Sequence, residues 1–363
     1  MTGEMVALMG PSGSGKTTLL NTLAQRQTGP TSGKIAINGR ERPLSIHRDV
    51  SAFVEQEDTL IGSLTVNETL KYSAKLALPR GIAIHELQTR VDHLIESFGL
   101  KNQSQTLIGT PLQKGLSGGQ KRRVSVATQL ITSPKILYLD EPTSGLDSTA
   151  SYEVISFLRG FARSNNILMI ASIHQPSTKT FELFDKVCLL SQGKTCFYGP
   201  SPGLVSFLEF IGLPVPVMTN PAEHVLDLTN VDFGTHYDTE QSRLDRITSA
   251  WEQYIQASDL KSDIQSAAAA TEHESLHSTS GHKPSAMWQI STLLHRSFVK
   301  SYRDLTAYWI RVAMYMGLAI MMGTVWLRLS TNQAHIQPYI NAVVSASSVQ
   351  CKVEVFRLTT VDC

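Results

Sequence analysis

Hydrophobic positions in the first 200 residues alternate between short continuous runs and longer segments with helix signals. Three apolar runs are typical of buried strands, at 4–9, 135–139 and 167–173. Thr65 with Glu68 three residues later forms a capping box, which predicts a helix through about Leu78. The same reading gives a strand at 51–56, a strand and turn at 33–39, helices at 18–24, 85–98 and 149–161, and a hairpin from 186 to 198. This order predicts an α/β body with a largely helical insertion between about residues 57 and 115.

The pattern changes after Pro216. Residues 235–285 are polar, and the part from Ser266 to Ser285 is of low complexity. Such composition cannot bury enough apolar surface to fold independently. We therefore predict a partly disordered linker over 216–286, solvated and with patchy helix.

Residues 287–303 predict an amphipathic helix, because Met287, Ile290, Leu294 and Phe298 fall on one helical face. That arrangement suits a helix that lies on a membrane surface and contacts membrane lipid.

A longer apolar segment follows, with Arg311 as its only charge between Leu305 and Leu327. Trp309 and Trp326 stand near its two ends, as expected at membrane interfaces, so we predict a transmembrane helix over 305–328. Basic residues are more frequent before this segment than after it, which predicts that the α/β body lies in the cytoplasm. Residues 329–363 would be a truncated tail.

Composition narrows the class of protein. The 363 residues are 42% apolar and carry a formal net charge of +1. The apolar content excludes wholesale disorder, and the balanced charge gives no basic field for nucleic acid, so no nucleic-acid partner is predicted. A mean hydropathy of −0.06 is too polar for a chain that lies mostly in a bilayer.

A glycine-rich loop between the first strand and the first helix matches G-x-x-x-x-G-K-[ST], the phosphate loop of nucleoside triphosphatases. Its glycines let successive N–H groups face phosphates, Lys16 would reach the β- and γ-phosphates, and the Thr17 hydroxyl would ligate Mg²⁺. We predict that a nucleoside triphosphate and Mg²⁺ bind there, and the motif alone leaves the kind of nucleotide open. The predicted nucleotide-binding residues of this loop are Gly10, Pro11, Ser12, Gly13, Ser14, Gly15, Lys16, Thr17 and Thr18.

Two carboxylates follow the strand at 135–139. Asp140 at the strand end would hold Mg²⁺ or its water, and Glu141 would orient and polarise the attacking water.

The segment Leu116-Ser117-Gly118-Gly119-Gln120 predicts a second anion-binding helix start. One chain needs a single phosphate cradle per nucleotide. A second cradle therefore suggests that two chains share each ATP.

The order of these motifs resembles the ATP-binding-cassette (ABC) ATPases, over about residues 3–350. The resemblance implies an α/β P-loop NTPase cassette over 1–215, with a helical subdomain at about 57–133. It implies a dimer with a second cassette, identical or different, whose ATP is contacted by Ser117, Gly118, Gly119 and Gln120. Further roles implied for single residues are catalytic base for Glu141, contact with Mg²⁺ and water for Gln56, dimer-seam contact for Asp147 and γ-phosphate contact for His174.

Three segments are similar to the G subfamily, the group of White-type and pleiotropic-drug-resistance half transporters. They are the stretches 115–124, 174–177 and 220–224, and the order of cassette before membrane domain is also shared. The resemblance implies ATP-driven export of a lipid, sterol or xenobiotic. The substrate would thus be a lipid or another small molecule, and the sequence does not show which one. Glu223 is a departure, because the family more often has Asp.

Two further departures lead us to expect a chain truncated at both ends. The aromatic residue that usually stacks on adenine precedes the phosphate loop by more residues than are present here. At the other end, residues 349–363 no longer resemble the family. A soluble ABC ATPase, or a product that only binds nucleotide or a partner chain, remains an alternative.

Overall fold

The computed structural model describes residues 3–27, 29, 32–41, 43–57, 59–79, 82–110, 113–230, 237–257, 284–303, 305–325 and 340. The chain divides into two compact units, Met1–Ser297 and Phe298–Cys363. The strands are β1 (Met5–Met9), β2 (Ala36–Ile37), β3 (Arg40–Glu41), β4 (Ser51–Val54), β5 (Ile136–Leu139), β6 (Leu168–Ser172), β7 (Lys186–Ser191) and β8 (Lys194–Pro200).

The helices of the first unit include those predicted at 18–24, 65–78, 85–98 and 149–161, together with others, such as 44–50 and 201–210, that the sequence analysis did not predict. They are α1 (Lys16–Leu23), α2 (Leu44–Val50), α3 (Val66–Ala77), α4 (Ile84–Ser97), α5 (Gly118–Leu130), α6 (Ser148–Asn165), α7 (Thr178–Phe181), α8 (Ser201–Phe210), α9 (Pro221–Thr229) and α10 (Tyr237–Ala257). Two more helices follow, α11 (Ala286–Arg303) and α12 (Leu305–Val325). The predicted capping box at Thr65 is confirmed, because its side chain accepts from the Glu68 amide and the Glu68 carboxylate accepts from the Thr65 amide.

A six-stranded sheet forms the centre of the first unit, in the order β4-β5-β6-β1-β7-β8. Neighbouring strands from β4 to β7 are parallel, and β8 pairs antiparallel with β7. The α/β prediction is confirmed.

Both faces of this sheet are covered. One face packs against the main hydrophobic core, to which β1, β5 and β6 contribute alternate residues, and the other packs against α1 through Leu8, Leu20 and Tyr138. Because successive residues of a strand are buried on opposite faces of the sheet, nearly all of them are apolar, and the strands appear in the sequence as continuous apolar runs.

The prediction of a solvated linker is wrong for part of 216–286. Leu244, Ile247 and Trp251 of α10 are buried in the main core, and the Trp251 ring centroid lies 5.1 Å from that of Phe197 on β8. These residues occupy one helical face at a spacing of three and four residues, and the polar residues around them hid that face from a compositional reading. The other predicted domain boundaries stay predictions.

The predicted amphipathic helix forms as α11. Its Trp288 Nε1 donates to the Lys75 carbonyl of α3 at 3.2 Å, and His295 Nδ1 lies 2.7 Å from the Tyr72 hydroxyl. Met287 and Leu294, on the predicted apolar face, are exposed.

The helix predicted over 305–328 is present as α12, Leu305–Val325. In the part of the chain that the structure describes, no helix combines the length and the apolarity required to cross a membrane. The predicted membrane span is therefore not supported. The tail predicted at 329–363 lies outside the described residues, apart from residue 340.

Candidate nucleotide site

Four of the segments that carry predicted site residues lie at one edge of the sheet. Gln56 follows β4, Asp140 and Glu141 follow β5, His174 follows β6, and the phosphate loop follows β1. These four strands are adjacent and parallel, so their carboxyl ends meet at the same edge, where ligands bind in open α/β sheets.

The phosphate loop is folded around the Lys16 side chain. Its Nζ donates to the carbonyl oxygens of Gly10 and Pro11, both at 2.8 Å, and the side chain is buried. Burial lowers the pKa of Lys16, while the charges of Glu141 and Asp140 act in the opposite direction. The ammonium is thus enclosed beside both predicted carboxylates.

The phosphate loop rests on the β7–β8 hairpin. A Cβ at Gly10 would lie 2.2 Å from the Leu190 carbonyl oxygen, so only glycine fits there. The Gly193 amide at the hairpin turn donates to the Ser14 carbonyl at 3.1 Å. Sequence reasoning missed this support, because Gln192-Gly193 signalled a turn and nothing about its tertiary partner.

Asp140 is buried and joins two neighbouring segments. Its Oδ1 accepts a hydrogen bond from Thr17 Oγ1 at 3.2 Å and one from Ser172 Oγ at 2.6 Å. Hydroxyl and carboxylate oxygens are the ligands that Mg²⁺ prefers, so the Thr17–Asp140 pair fits the predicted metal. Ser172 was not predicted as a site residue.

Glu141 is held in a strained backbone conformation, with φ at +44°. Its amide donates to Ser172 Oγ at 2.7 Å, and its Oε2 accepts from Gln56 Nε2 at 2.7 Å. Positive φ in a residue other than glycine is uncommon and clusters at functional sites. The two residues predicted to handle water therefore contact each other across the β4 and β5 loops.

Arg122 is the second group that sequence reasoning missed. It is a buried residue of α5 whose guanidinium donates to backbone carbonyl oxygens. The acceptors are the carbonyl groups of Pro142 at 3.1 Å, Glu55 at 2.9 Å, Gln56 at 2.7 Å and Glu141 at 2.8 Å. One planar side chain thus fixes the loops after β4 and β5 together.

The predicted second anion-binding turn, residues 117–120, begins α5, and its Ser117 and Gly118 are exposed. Ser117 Oγ accepts from the Gln120 amide, and the Gln120 side chain accepts from the Ser117 amide, which completes a capping box. The turn packs closely against the start of α6: a Cβ at Gly118 would lie 3.0 Å from Leu146 Cδ2. The next residue, Asp147, caps α6, because its carboxylate accepts a hydrogen bond from the Ala150 amide at 2.6 Å. The turn thus lies beside the predicted dimer-seam residue.

The predicted histidine, His174, is exposed on the loop between β6 and α7, in which Pro176 is buried. Gln175, next to His174, has φ at +44°, and Ser177 caps α7 through the Thr180 amide.

A cleft of about 490 Å³ opens beside the phosphate loop, lined among others by Thr17, Thr18 and Asp140. Its position suits a ligand that reaches both Thr17 and the Asp140 carboxylate.

Two family models match the chain. The model described as ABC transporter matches residues 1–144, and the model described as ABC-2 type transporter matches residues 174–357. The second match continues past residue 349, where the resemblance read from the sequence ends.

Curated relatives match most of the chain. It is 40% identical to ABC transporter G family member 1 of Petunia hybrida, over 93% of this chain and 54% of the relative. It is 38% identical to ABC transporter G family member 11 of Arabidopsis thaliana, over 92% of this chain and 50% of the relative. The chain thus spans about half the length of these relatives.

A solved structure shares the fold, that of cbiO1 from Clostridium perfringens, part of the ABC transporter complex cbiONQ. The TM-score is 0.50 at 25% sequence identity, and the match covers 58% of this chain and 82% of the other. The resemblance predicted from the motifs is confirmed: the chain belongs to the ABC transporter family, with G family members as its relatives.

Proposed function

We propose that this chain provides the ATP-binding and ATP-hydrolysing cassette of a G-type ABC half transporter. The observation that carries the proposal is the continuous set of contacts from Thr17 through Asp140 and Ser172 to Glu141 and Gln56. Each contact joins segments that are distant in the sequence and lie near the carboxyl edge of the sheet.

Different residues of the site would bind the phosphates, hold the metal ion and activate the attacking water. The phosphate-loop amides and Lys16 would bind the phosphates, and Thr17 with Asp140 would hold Mg²⁺, which neutralises charge that develops on the phosphates. Glu141 would accept a proton from the attacking water, with Gln56 fixing its carboxylate through the bond to Oε2. His174 would contact the γ-phosphate.

A second cassette would complete the site. The helix start that carries Ser117, Gly118, Gly119 and Gln120 reaches the surface, where Ser117 and Gly118 are exposed. In a head-to-tail dimer of like or unlike chains, these four residues would bind the γ-phosphate of the ATP held by the partner. Because ATP then binds the closed dimer preferentially, hydrolysis would shift the equilibrium towards the open state.

The transport role rests on the ABC-2 type match over residues 174–357 and on the G family relatives. These findings favour a transporter over a soluble ABC ATPase. We therefore place the protein at a membrane with its cassette in the cytoplasm, and we propose export of a lipid, sterol or xenobiotic.

Replacement of Glu141 by Gln tests the hydrolytic assignment. Glu141→Gln removes the proton acceptor but keeps an oxygen for Gln56, so we expect ATP binding to persist and hydrolysis to fall by about 10²-fold or more. Phosphate release and binding of a fluorescent ATP analogue measure the two quantities.

Glu55→Gln is the matched control. Its carboxylate makes an exposed ion pair with Arg26 at 2.7 Å, so hydrolysis should stay near the wild-type rate. An unchanged rate in Glu141→Gln would remove Glu141 from the catalytic role.

A further inference from the structure

The segment Asn220-Pro-Ala-Glu-His224 marks the G subfamily in the sequence, yet the site described above assigns it no task. In the structure it forms the start of α9, with Asn220 as the capping residue and Pro221 in the first turn. Both polar groups of the Asn220 side chain are used. Its Oδ1 accepts from the Ala222 amide at 3.1 Å, and its Nδ2 donates to the Pro176 carbonyl at 2.8 Å.

The second of these hydrogen bonds reaches the histidine loop. Pro176 lies two positions after His174 and 44 positions before Asn220 in the chain. Gln175, which lies between His174 and Pro176, has a left-handed φ. This conformation costs energy and persists only where the surrounding structure fixes it. The bond to the Pro176 carbonyl restrains the loop just beyond this strained residue.

The helix that carries Asn220 is itself firmly anchored. Ala222, Val225 and Leu226 of α9 are buried in the main core. At the other end of α9, the Thr229 carbonyl accepts from the buried Ser191 hydroxyl at 2.7 Å. Asn220 therefore connects a helix packed in the core to the loop that carries the exposed His174.

We propose that Asn220 is a positioning residue that holds the loop 174–177 in the conformation that presents His174 to the terminal phosphate. The inference rests on the proposed function, because His174 acts only if ATP is hydrolysed at this edge. Asn220 does not touch the nucleotide in this account; it acts through the Pro176 carbonyl.

Asn220→Asp tests this role selectively. Aspartate keeps the capping oxygen, and both residues are good helix caps, but it cannot donate to the Pro176 carbonyl. We expect kcat for ATP to fall roughly 5- to 10-fold, the scale of one neutral hydrogen bond, with KM changed by less than about twofold. Asn220→Ser, which also keeps a capping oxygen, should have the same effect.

A double-variant cycle with His174→Ala in the full chain separates positioning from general destabilisation. If Asn220 acts through the histidine, Asn220→Asp should cause no further loss in the His174→Ala background. An equal fold-loss in both backgrounds would overturn the proposal. Thr65→Ala is the control, since it removes a side-chain cap of α3 far along the chain and should leave kcat unchanged.

Hydrogen exchange gives a readout that does not need activity. Asn220→Asp should speed amide exchange in the segment 174–181 and leave α3 and α5 as in the wild type. Unchanged exchange in that segment would overturn the positioning role. A wild-type chain without ATPase activity would instead count against the proposed function, and exchange alone would then decide the role of Asn220.

Discussion

The phosphate loop and the Ser117 turn are both glycine-containing loops that begin a helix, but they are held in different ways. Lys16 and Ser14 in the first are buried, and the loop is supported from below by Leu190 and Gly193 of the hairpin. The side-chain hydrogen bond of Ser117 stays inside its own turn, to Gln120, and the residue is exposed.

This difference shows where each loop obtains its conformation. The phosphate loop depends on tertiary contacts, so a change in packing should alter its shape and its stability together. The Ser117 turn depends on a local capping box, so its side chain can be removed at low cost in stability. Its exposure is what the proposed contact with a partner's nucleotide requires.

The largest expected effect is on the phosphate loop. Gly10→Ala would place a Cβ 2.2 Å from the Leu190 carbonyl oxygen and 2.5 Å from Ser14 Oγ, so backbone must shift. We expect a loss of several kcal/mol in the free energy of unfolding, about the size of an overpacked buried site, and loss of ATP binding. Thermal unfolding and titration with an ATP analogue measure both.

Gly13→Ala is the matched control in the same loop. No atom lies within 4 Å of a Cβ at Gly13, so only its left-handed φ of +73° is unfavourable. That conformation costs about 1–2 kcal/mol for alanine. Equal destabilisation by the two variants would contradict the packing of Gly10 on the hairpin.

The next effect concerns the Ser117 turn. Ser117→Ala removes the acceptor for the Gln120 amide, so the free energy of unfolding should fall by about 1 kcal/mol. If the turn serves a partner's nucleotide, ATP hydrolysis should decrease while ATP binding to a single chain stays constant. Phosphate release at high protein concentration and nucleotide titration at low concentration test the two halves. A weaker binding constant in the isolated chain would refute the separation.

The smallest effect concerns pH and falls on the phosphate-loop side of the molecule. His47 is buried, its ring stacks on Tyr138 of β5 with centroids 6.4 Å apart, and burial lowers its pKa. A lowered pKa in the folded state means that the unfolded chain binds the proton more readily. Stability is therefore complete above the unfolded pKa of about 6.5 and falls as the pH drops below it.

His47→Gln should remove that part of the pH dependence. Urea unfolding at several pH values around and below about 6.5 gives the slope. His85, exposed at the start of α4, is the control position, and His85→Gln should keep the wild-type slope. A slope that survives in His47→Gln would show that other groups cause it.

Local signals predicted much of the cassette. The apolar runs at 135–139 and 167–173 became β5 and β6, and the capping box at Thr65 began α3. Composition failed for α10, because three buried residues among polar neighbours carry little signal without the core they pack against. The span predicted over 305–328 also failed to find support, although a helix formed there.

The sequence by itself determined the motifs, their order and the start of α3 at its capping box, because those depend on residues close in the chain. Only the tertiary structure decided which distant groups support them. The Arg122 guanidinium bridges the loops after β4 and β5, Gly193 supports the phosphate loop, and Asn220 reaches Pro176. Each is a contact between residues separated by many positions, and it exists only once the parallel strands have aligned their carboxyl ends.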